Sequence, residues 1–271
     1  RLEPDGSLDP SFVVQTSRLL DQVSVVAPGD QDKVIVGFTA TTNVLIRFNA
    51  DGSEDSDFGS NIGTGPDNSV FTIVTQPDGK ILIGGAFSAF NAQPLKYLVR
   101  LNEDGTVDHA FTHTLTFAVR SIVLFPNGDM ILGGSDNAGN ILAKVHSDGT
   151  EDESFAPGTF LNGDNESAIM SMISQPGGKT LIGGFFSSYS GVSRENIVQI
   201  NSDGSIDDTY DATFNSVIRS LTAVDDYVMV GGQFNEVNGN ASDRLVMLDN
   251  HGDIFNPYTD TDILMVNQGV K

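Results

Sequence analysis

Residues 70–111 read VFTIVTQPDGKILIGGAFSAFNAQPLKYLVRLNEDGTVDHAF, and this stretch decides the fold. Its apolar runs are short and bounded by Gly, Pro, Asn or Asp, which is how strands and their turns are written. Pro77-Asp78-Gly79 predicts a hairpin, because Pro presets φ and Gly accepts a positive φ. Asp104-Gly105 predicts another. Four strand candidates follow: Val70–Thr75, Lys80–Gly84, Tyr97–Leu101 and a short outer piece at Thr106–Phe111. Ile81, Leu82 and Ile83 are apolar at consecutive positions, so both faces of that strand are expected to be covered.

The stretch is one unit of an internal repeat. Its Asp-Gly element recurs at Arg1–Phe12, Arg47–Phe58, Arg100–Phe111, Lys144–Phe155 and Gln199–Tyr210, with a worn copy at Met247–Tyr258. The turn glycines Gly6, Gly52, Gly105, Gly149, Gly204 and Gly252 are spaced about 49 residues apart on average. Between these copies lies a hairpin that closes on Gly-Gly, at Val70–Phe87, Val119–Gly134, Ile169–Phe186, Val217–Phe234 and, degraded, Val23–Phe38. A strand meander of this period, buried on both faces, is a β-propeller blade. Leucine-rich or hexapeptide solenoids need a shorter period, and helical repeats need helices that this sequence lacks.

The expected architecture is therefore all-β: one β-propeller domain over residues 1–271 built from four-stranded blades, with five full repeats and partial copies at the termini. The Asp-Gly element occurs six times and the Gly-Gly element five, and Ile263–Lys271 reads as the start of a further inner strand. That points either to part of a ring of six or more blades or to closure by a split blade. Terminal copies acting as caps would give the same count. The first residue is Arg1, which fits a processed chain or a piece of a longer one.

The motifs resemble the delta-sixty repeat family of β-propellers. That pattern runs Gln-Pro-Asp-Gly-Lys, an apolar strand, Gly-Gly-x-Phe, then Arg-Leu-Asn-x-Asp-Gly-Ser-x-Asp-x-x-Phe. Gln76–Phe87 with Arg100–Phe111 matches it almost throughout, and Gln175–Phe186 with Gln199–Tyr210 nearly so. The first unit lacks one Gly and the Pro-Asp-Gly turn, and the last copy has lost its Arg and both Asp. The resemblance implies a module of secreted, surface or phage structural proteins, and no common enzymatic activity.

Composition narrows the function classes. Lys+Arg number 14 against Asp+Glu 36, a formal charge of −22 that opposes binding to nucleic acid or anionic lipid. Cys is 0, which removes disulfides, thiolate catalysis and Cys-ligated metals. No long apolar run suggests membrane insertion. Of the acidic residues 28 are Asp and 8 are Glu, a balance that favours turns over helix interiors.

Several residues invite chemistry. Asn102, Asp104 and Asp108, with Asn49, Asp51 and Asp55, offer oxygens to calcium, although the EF-hand register fails and no bidentate Glu follows. The competing reading is that Asp104 opens a turn and Asp108 bonds neighbouring backbone. The recurrent Arg1, Arg47 and Arg100 match the recurrent Asp9, Asp55 and Asp108 as structural pairs. Thr72, Ser121, Ser171 and Ser220 share one register, where backbone bonding outweighs nucleophilic use because no base recurs beside them. Arg120 and Arg219, next to that register, are assigned to the opposite strand face. His109 and His113 stand four apart, a metal spacing only on a helix.

The longer loops, Ala86–Leu98, Phe185–Ile197 and Gln233–Leu245, are expected to crowd one face and to present Phe90, Asn91, Tyr189, Ser190, Asn235 and Asn238 to a protein or glycan partner. The reading is a non-enzymatic scaffold, adhesion or partner-binding module, embedded in a larger chain or assembly that is extracellular, at the cell surface or in a virion, such as a phage tail component. No catalytic residue and no cofactor beyond the calcium candidates is assigned. The alternative is a secreted carbohydrate-active enzyme with carboxylates on one propeller face, for which Asp136, Asp164 and Asp243 would be proposed.

Overall fold

In the computed structural model the described residues are 1–15, 22–39, 45–136, 139–162 and 168–255. Ile263–Lys271 and the end of the worn copy lie outside them. The chain divides into two compact units, Arg1–Pro157 and Gly158–Lys271.

The first unit holds three antiparallel meanders of one strand order: Gln22–Pro28, Val34–Thr39, Leu45–Phe48; Val70–Thr75, Ile81–Gly85, Leu98–Leu101; and Ala118–Leu124, Met130–Asp136, Gly139–Val145. The second unit holds two more: Ala168–Gln175, Lys179–Phe185, Ile197–Ile200; and Ile218–Val224, Tyr227–Gly232, Leu245–Leu248. The only α-helix among the described residues is Ser56–Ile62, where the Asp55 side chain accepts the Phe58 N–H as N-cap.

These sheets have three strands where four were expected. The outer piece Thr106–Phe111 is reduced to a single antiparallel bridge, Leu101 with Val107. Asp108 is the cause. Its backbone N–H donates to Arg100 O at 2.9 Å, and its Oδ1 accepts the Ala110 N–H at 3.1 Å. That side-chain turn diverts the chain before a second ladder pair can form. The same bridge recurs at Phe48–Glu54, Val145–Glu151, Ile200–Ile206 and Leu248–Ile254.

Burial explains the consecutive apolar residues. All of Ile81–Gly85 is buried. Ile81 and Ile83 join Ile35, Leu45 and Val70 in one cluster, while Leu82 joins Val119, Met130 and Leu132 in another. Successive side chains enter opposite faces of a strand, so a strand packed on both sides must be apolar at every position.

The Gly-Gly pair has two separate reasons. A Cβ on Gly84 would meet Val119 Cγ1 of the next sheet at 2.8 Å. One on Gly85 would meet the Ser69 carbonyl oxygen. The first glycine lets the sheets approach; the second admits the backbone beside a β-bulge between Val70 and Thr72. Gly37 faces Val70 and Gly183 faces Ile218 in the same manner.

The bulge is common to the five meanders and leaves Ser24, Phe71, Arg120, Met170 and Arg219 as the extra residues of their first strands. The register hydroxyls follow it. Ser171 Oγ accepts the Leu221 N–H at 3.1 Å from the neighbouring strand, the backbone-bonding role expected for this position. On the first sheet Val23 and Val26 are 47% and 59% exposed, whereas their counterparts Val70 and Ile73 are buried.

Candidate functional site

The chemistry-bearing residues fall into three groups: the recurrent ion pairs, the long loops and the bulge side chains. In the most complete pair, Arg100 Nε and Lys80 Nζ each donate to Asp108 Oδ2 at 2.9 Å. Arg100 comes from the third strand, Lys80 from the turn before the second, and Asp108 from the bridge. The Arg100 guanidinium lies over the Phe111 ring at 4.5 Å and donates through Nη1 to Ser147 O in the next repeat.

Arg47, Lys33, Asp55 and Phe58 repeat the arrangement, and Arg1 with Asp9 and Phe12 retains part of it. Lys144 pairs with Asp152 at 2.9 Å. In the second unit Gln199 replaces the arginine, and its amide and Lys179 both donate to Asp207 at 2.6 Å. The expected pairing of recurrent Arg and Asp is thus present.

The surroundings of these carboxylates set their acidity. Burial pushes Asp55 up, but the Lys33 ammonium, the Phe58 N–H and the Arg47 guanidinium outweigh it and hold the group at about 2. The Ser11 hydroxyl and Arg1 hold Asp9 at about 2.

Calcium finds no suitable donor set here. Asp104 Oδ1 already accepts the N–H and hydroxyl of Thr106, and the Asn102 amide donates to Thr106 Oγ1. Asp108 faces two cations, which would repel a third. Asp51 and Asp55 are committed likewise. No group of three or more metal-ligating side chains occurs among the described residues.

The long loops differ from expectation at their aromatics. Phe90 and Tyr189 are both 0% exposed and offer nothing to a partner. Each loop folds back into a small box under its own tip. Phe87 and Phe90 meet edge to face at 6.5 Å, and Phe160 packs on Phe186 and Tyr189 at 5.0 and 4.8 Å. The Tyr189 hydroxyl donates to Gly204 O at 2.8 Å and accepts the Gly158 N–H at 2.6 Å.

Asn91 and Asn238 take positive φ at the tips and spend their side chains locally. Asn91 Oδ1 accepts the Gly65 N–H; Asn238 accepts from Thr213 N–H and donates to Gly252 O. Ser190 and Asn235 are exposed, although Asn235 also bonds Asn215. The loop residues left facing solvent include Ala92, Gln93, Pro94 and Lys96 in the first unit and Val192, Ser193 and Asn240 in the second.

Two further placements bear on chemistry. His113 lines a cavity of about 300 Å³ with Leu95, Leu98, Val99, Phe111 and Leu115. Its Nε2 bonds Leu98 O at 2.8 Å, and burial pushes its pKa down, which keeps the ring neutral and structural. Asp136 ends a strand of the first unit, Asp243 is exposed in the second, and Asp164 lies outside the described residues.

What the sequence reading did not foresee is the partner of Arg120. At the bulge of its strand this side chain lies over the Phe71 ring of the preceding sheet, its guanidinium 4.6 Å from the ring centroid. Recurrence of arginine at Arg219, the same bulge position, was the available signal.

A family described as "Domain of unknown function (DUF5122) beta-propeller" matches residues 1–12, 76–111 and 175–210. These matched segments carry the Asp-Gly and Gly-Gly motifs. Over these segments the chain is similar to that β-propeller family. Comparison with curated proteins finds no match.

Solved structures share the fold at low identity. A catalytically inactive virginiamycin B lyase from Staphylococcus aureus is 14% identical with a TM-score of 0.58, over 89% of this chain and 71% of that one. The extracellular domain of a hybrid two component system from B. thetaiotaomicron is 14% identical with a TM-score of 0.54, over 89% and 28%. PorZ, a bacterial surface component of the type-IX secretion system of Porphyromonas gingivalis, is 13% identical with a TM-score of 0.53, over 90% and 34%. The chain therefore spans about a third or less of the last two proteins. No helix among the described residues is long and apolar enough to cross a membrane.

Proposed function

We propose that the chain is a non-enzymatic β-propeller module that binds a protein or glycan through its long-loop face. It serves as a scaffold or adhesion part of a secreted, cell-surface or virion protein, as in a phage tail, and its repeats act as one domain of the delta-sixty type. The observation that carries this reading is the fate of the repeated charged residues. Arg47, Arg100, Lys80 and Lys179 are each consumed by an aspartate of the repeat, so the recurrent chemistry maintains the fold. Catalysis needs a unique constellation, and loops on a rigid repeat scaffold are suited to recognition. An extracellular location accords with the surface and extracellular proteins that share the fold.

The test is an array of glycans and extracellular proteins probed with the purified chain and with a Val192→Asp, Asn240→Arg loop variant. Binding that falls at least tenfold in the variant at unchanged melting temperature supports the reading. Binding indifferent to both substitutions, or turnover of an arrayed glycan, overturns it.

A further inference from the structure

Neighbouring sheets of this repeat pack by one recurring fit. A valine or isoleucine beside the bulge of one sheet enters the space over a glycine in the second strand of the sheet before it. Within the unit Arg1–Pro157, Val70 fills the space over Gly37 and Val119 fills that over Gly84; within Gly158–Lys271, Ile218 fills that over Gly183. Leu98 and Ile197, the third-strand partners of Gly84 and Gly183, are buried by the same contact. A second apolar residue past the bulge completes the inserted face: Ile73, Ile122 and Leu221, all buried.

Two such faces have no mate among the described residues. On the first sheet Val23 and Val26 hold the positions of Val70 and Ile73 but stand exposed. On the sheet that ends at Leu248, Gly231 holds the position of Gly84. Among the described residues, a Cβ on Gly231 would find within 4 Å only Leu245 Cδ1 of its own sheet. Leu245, the counterpart of Leu98, is 60% exposed, and Met229 is half-buried where its counterparts Leu82 and Leu181 are fully covered. One face thus offers two apolar side chains with no glycine to receive them, and the other offers the glycine with nothing seated on it. None of the five residues is charged. Two unlike, complementary faces on one chain make a heterologous contact between copies.

We propose that these faces join copies of the chain head to tail, with Val23 and Val26 of one copy seated over Gly231, Leu245 and Met229 of the next. The occupant is a second copy because the chain carries both halves of the fit that its own packed sheets use, and both halves are uncovered. Mating them removes apolar surface from water. The net charge of −22 opposes the approach of like copies, so association strengthens as salt screens it. These sheet faces are distinct from the loop face that serves recognition.

The experiment is sedimentation velocity of the purified chain over a range of concentrations at low and high salt, followed by disulfide trapping. A species larger than the monomer is expected to grow with concentration and with salt. Val26→Asp and Leu245→Asp should each restore the monomer at unchanged melting temperature, since both side chains are exposed in the single chain. The chain has no Cys, so introduced thiols have no competitors. At an occupied face a Cβ on Gly183 would lie 3.3 Å from Ile218 Cβ, close to the roughly 3.5–4.5 Å that a disulfide spans. Under oxidised glutathione, Val23→Cys mixed with Gly231→Cys is expected to give at least tenfold more disulfide-linked dimer than either variant alone. Gly183→Cys with Ile218→Cys in one chain is the internal control. A monomer at every concentration overturns the proposal. So do dimers trapped as readily by Val23→Cys alone, or a disulfide that closes within a single chain carrying both Val23→Cys and Gly231→Cys.

Discussion

Asp108→Ala is the sharpest perturbation of the repeat. The carboxylate removed is 10% exposed, and Arg100, its partner on the third strand, is 8% exposed. Lys80, the second partner, is about a third exposed and can turn to water once released. Arg100 cannot, because its guanidinium is pinned between Phe111 and the Ser147 carbonyl. The substitution therefore strands one buried charge, a loss of about 3–5 kcal/mol. At about 2–4 °C per kcal/mol for a unit of this length, the melting temperature falls by roughly 6–20 °C. The internal control is Asp208→Ala. That carboxylate is 87% exposed, its bond to Arg194 is at the surface, and its loss costs about 0–1 kcal/mol. Far-UV dichroism during heating and urea titration reads both, since the chain has no Trp. Asp108→Ala with Arg100→Met removes the stranded charge and is expected to melt above Asp108→Ala alone. If Asp108→Ala costs no more than Asp208→Ala, or the double variant is the less stable, the ion pairs are not what the repeat depends on.

Three further outcomes follow from the same geometry. Gly84→Ala places a Cβ against Val119 and Thr72 and should cost about 1–3 kcal/mol, while Gly231→Ala, with only Leu245 Cδ1 at 3.9 Å, should leave the urea midpoint unchanged. Tyr189→Phe leaves the Gly158 N–H and Gly204 carbonyl without their buried partner and should lower stability by about 1–3 kcal/mol in the same titration. Asp55 and Asp9 sit at about 2 in the folded chain against about 4 when unfolded, so their contribution is complete above pH 4 and drains away as pH falls toward 2. Melting temperatures taken from pH 5 to pH 2 should drop through that window, and Asp55→Asn should flatten the drop.

Much of the fold was legible because each repeat states it again. The Pro-x-Gly and Asp-Gly turns, the apolar runs and the 49-residue spacing fix where strands begin, end and reverse, and these are local matters of φ and hydrogen bonding. The Arg–Asp pairs were legible for the same reason. The outer strand was misjudged because a side-chain turn at Asp108 competes with the ladder, and strand propensity carries no term for that competition. The loop residues were misjudged in a related way: Phe90 and Tyr189 stand among loop polar residues, yet Phe90 closes against Phe87 of its own loop and Tyr189 against Phe160 from an earlier segment.

The sequence by itself determined the meander, its turns and its repetition, since those depend on residues a few positions apart. Only the tertiary structure decided which faces meet and which side chains are left over. Gly84 is required by a valine 35 residues away in the next sheet, and Arg120 meets Phe71, 49 residues earlier, where the bulges of two neighbouring sheets come together. Contacts between neighbouring sheets are set by how closely two backbones can approach, and that distance is a property of the packed pair, absent from either strand alone.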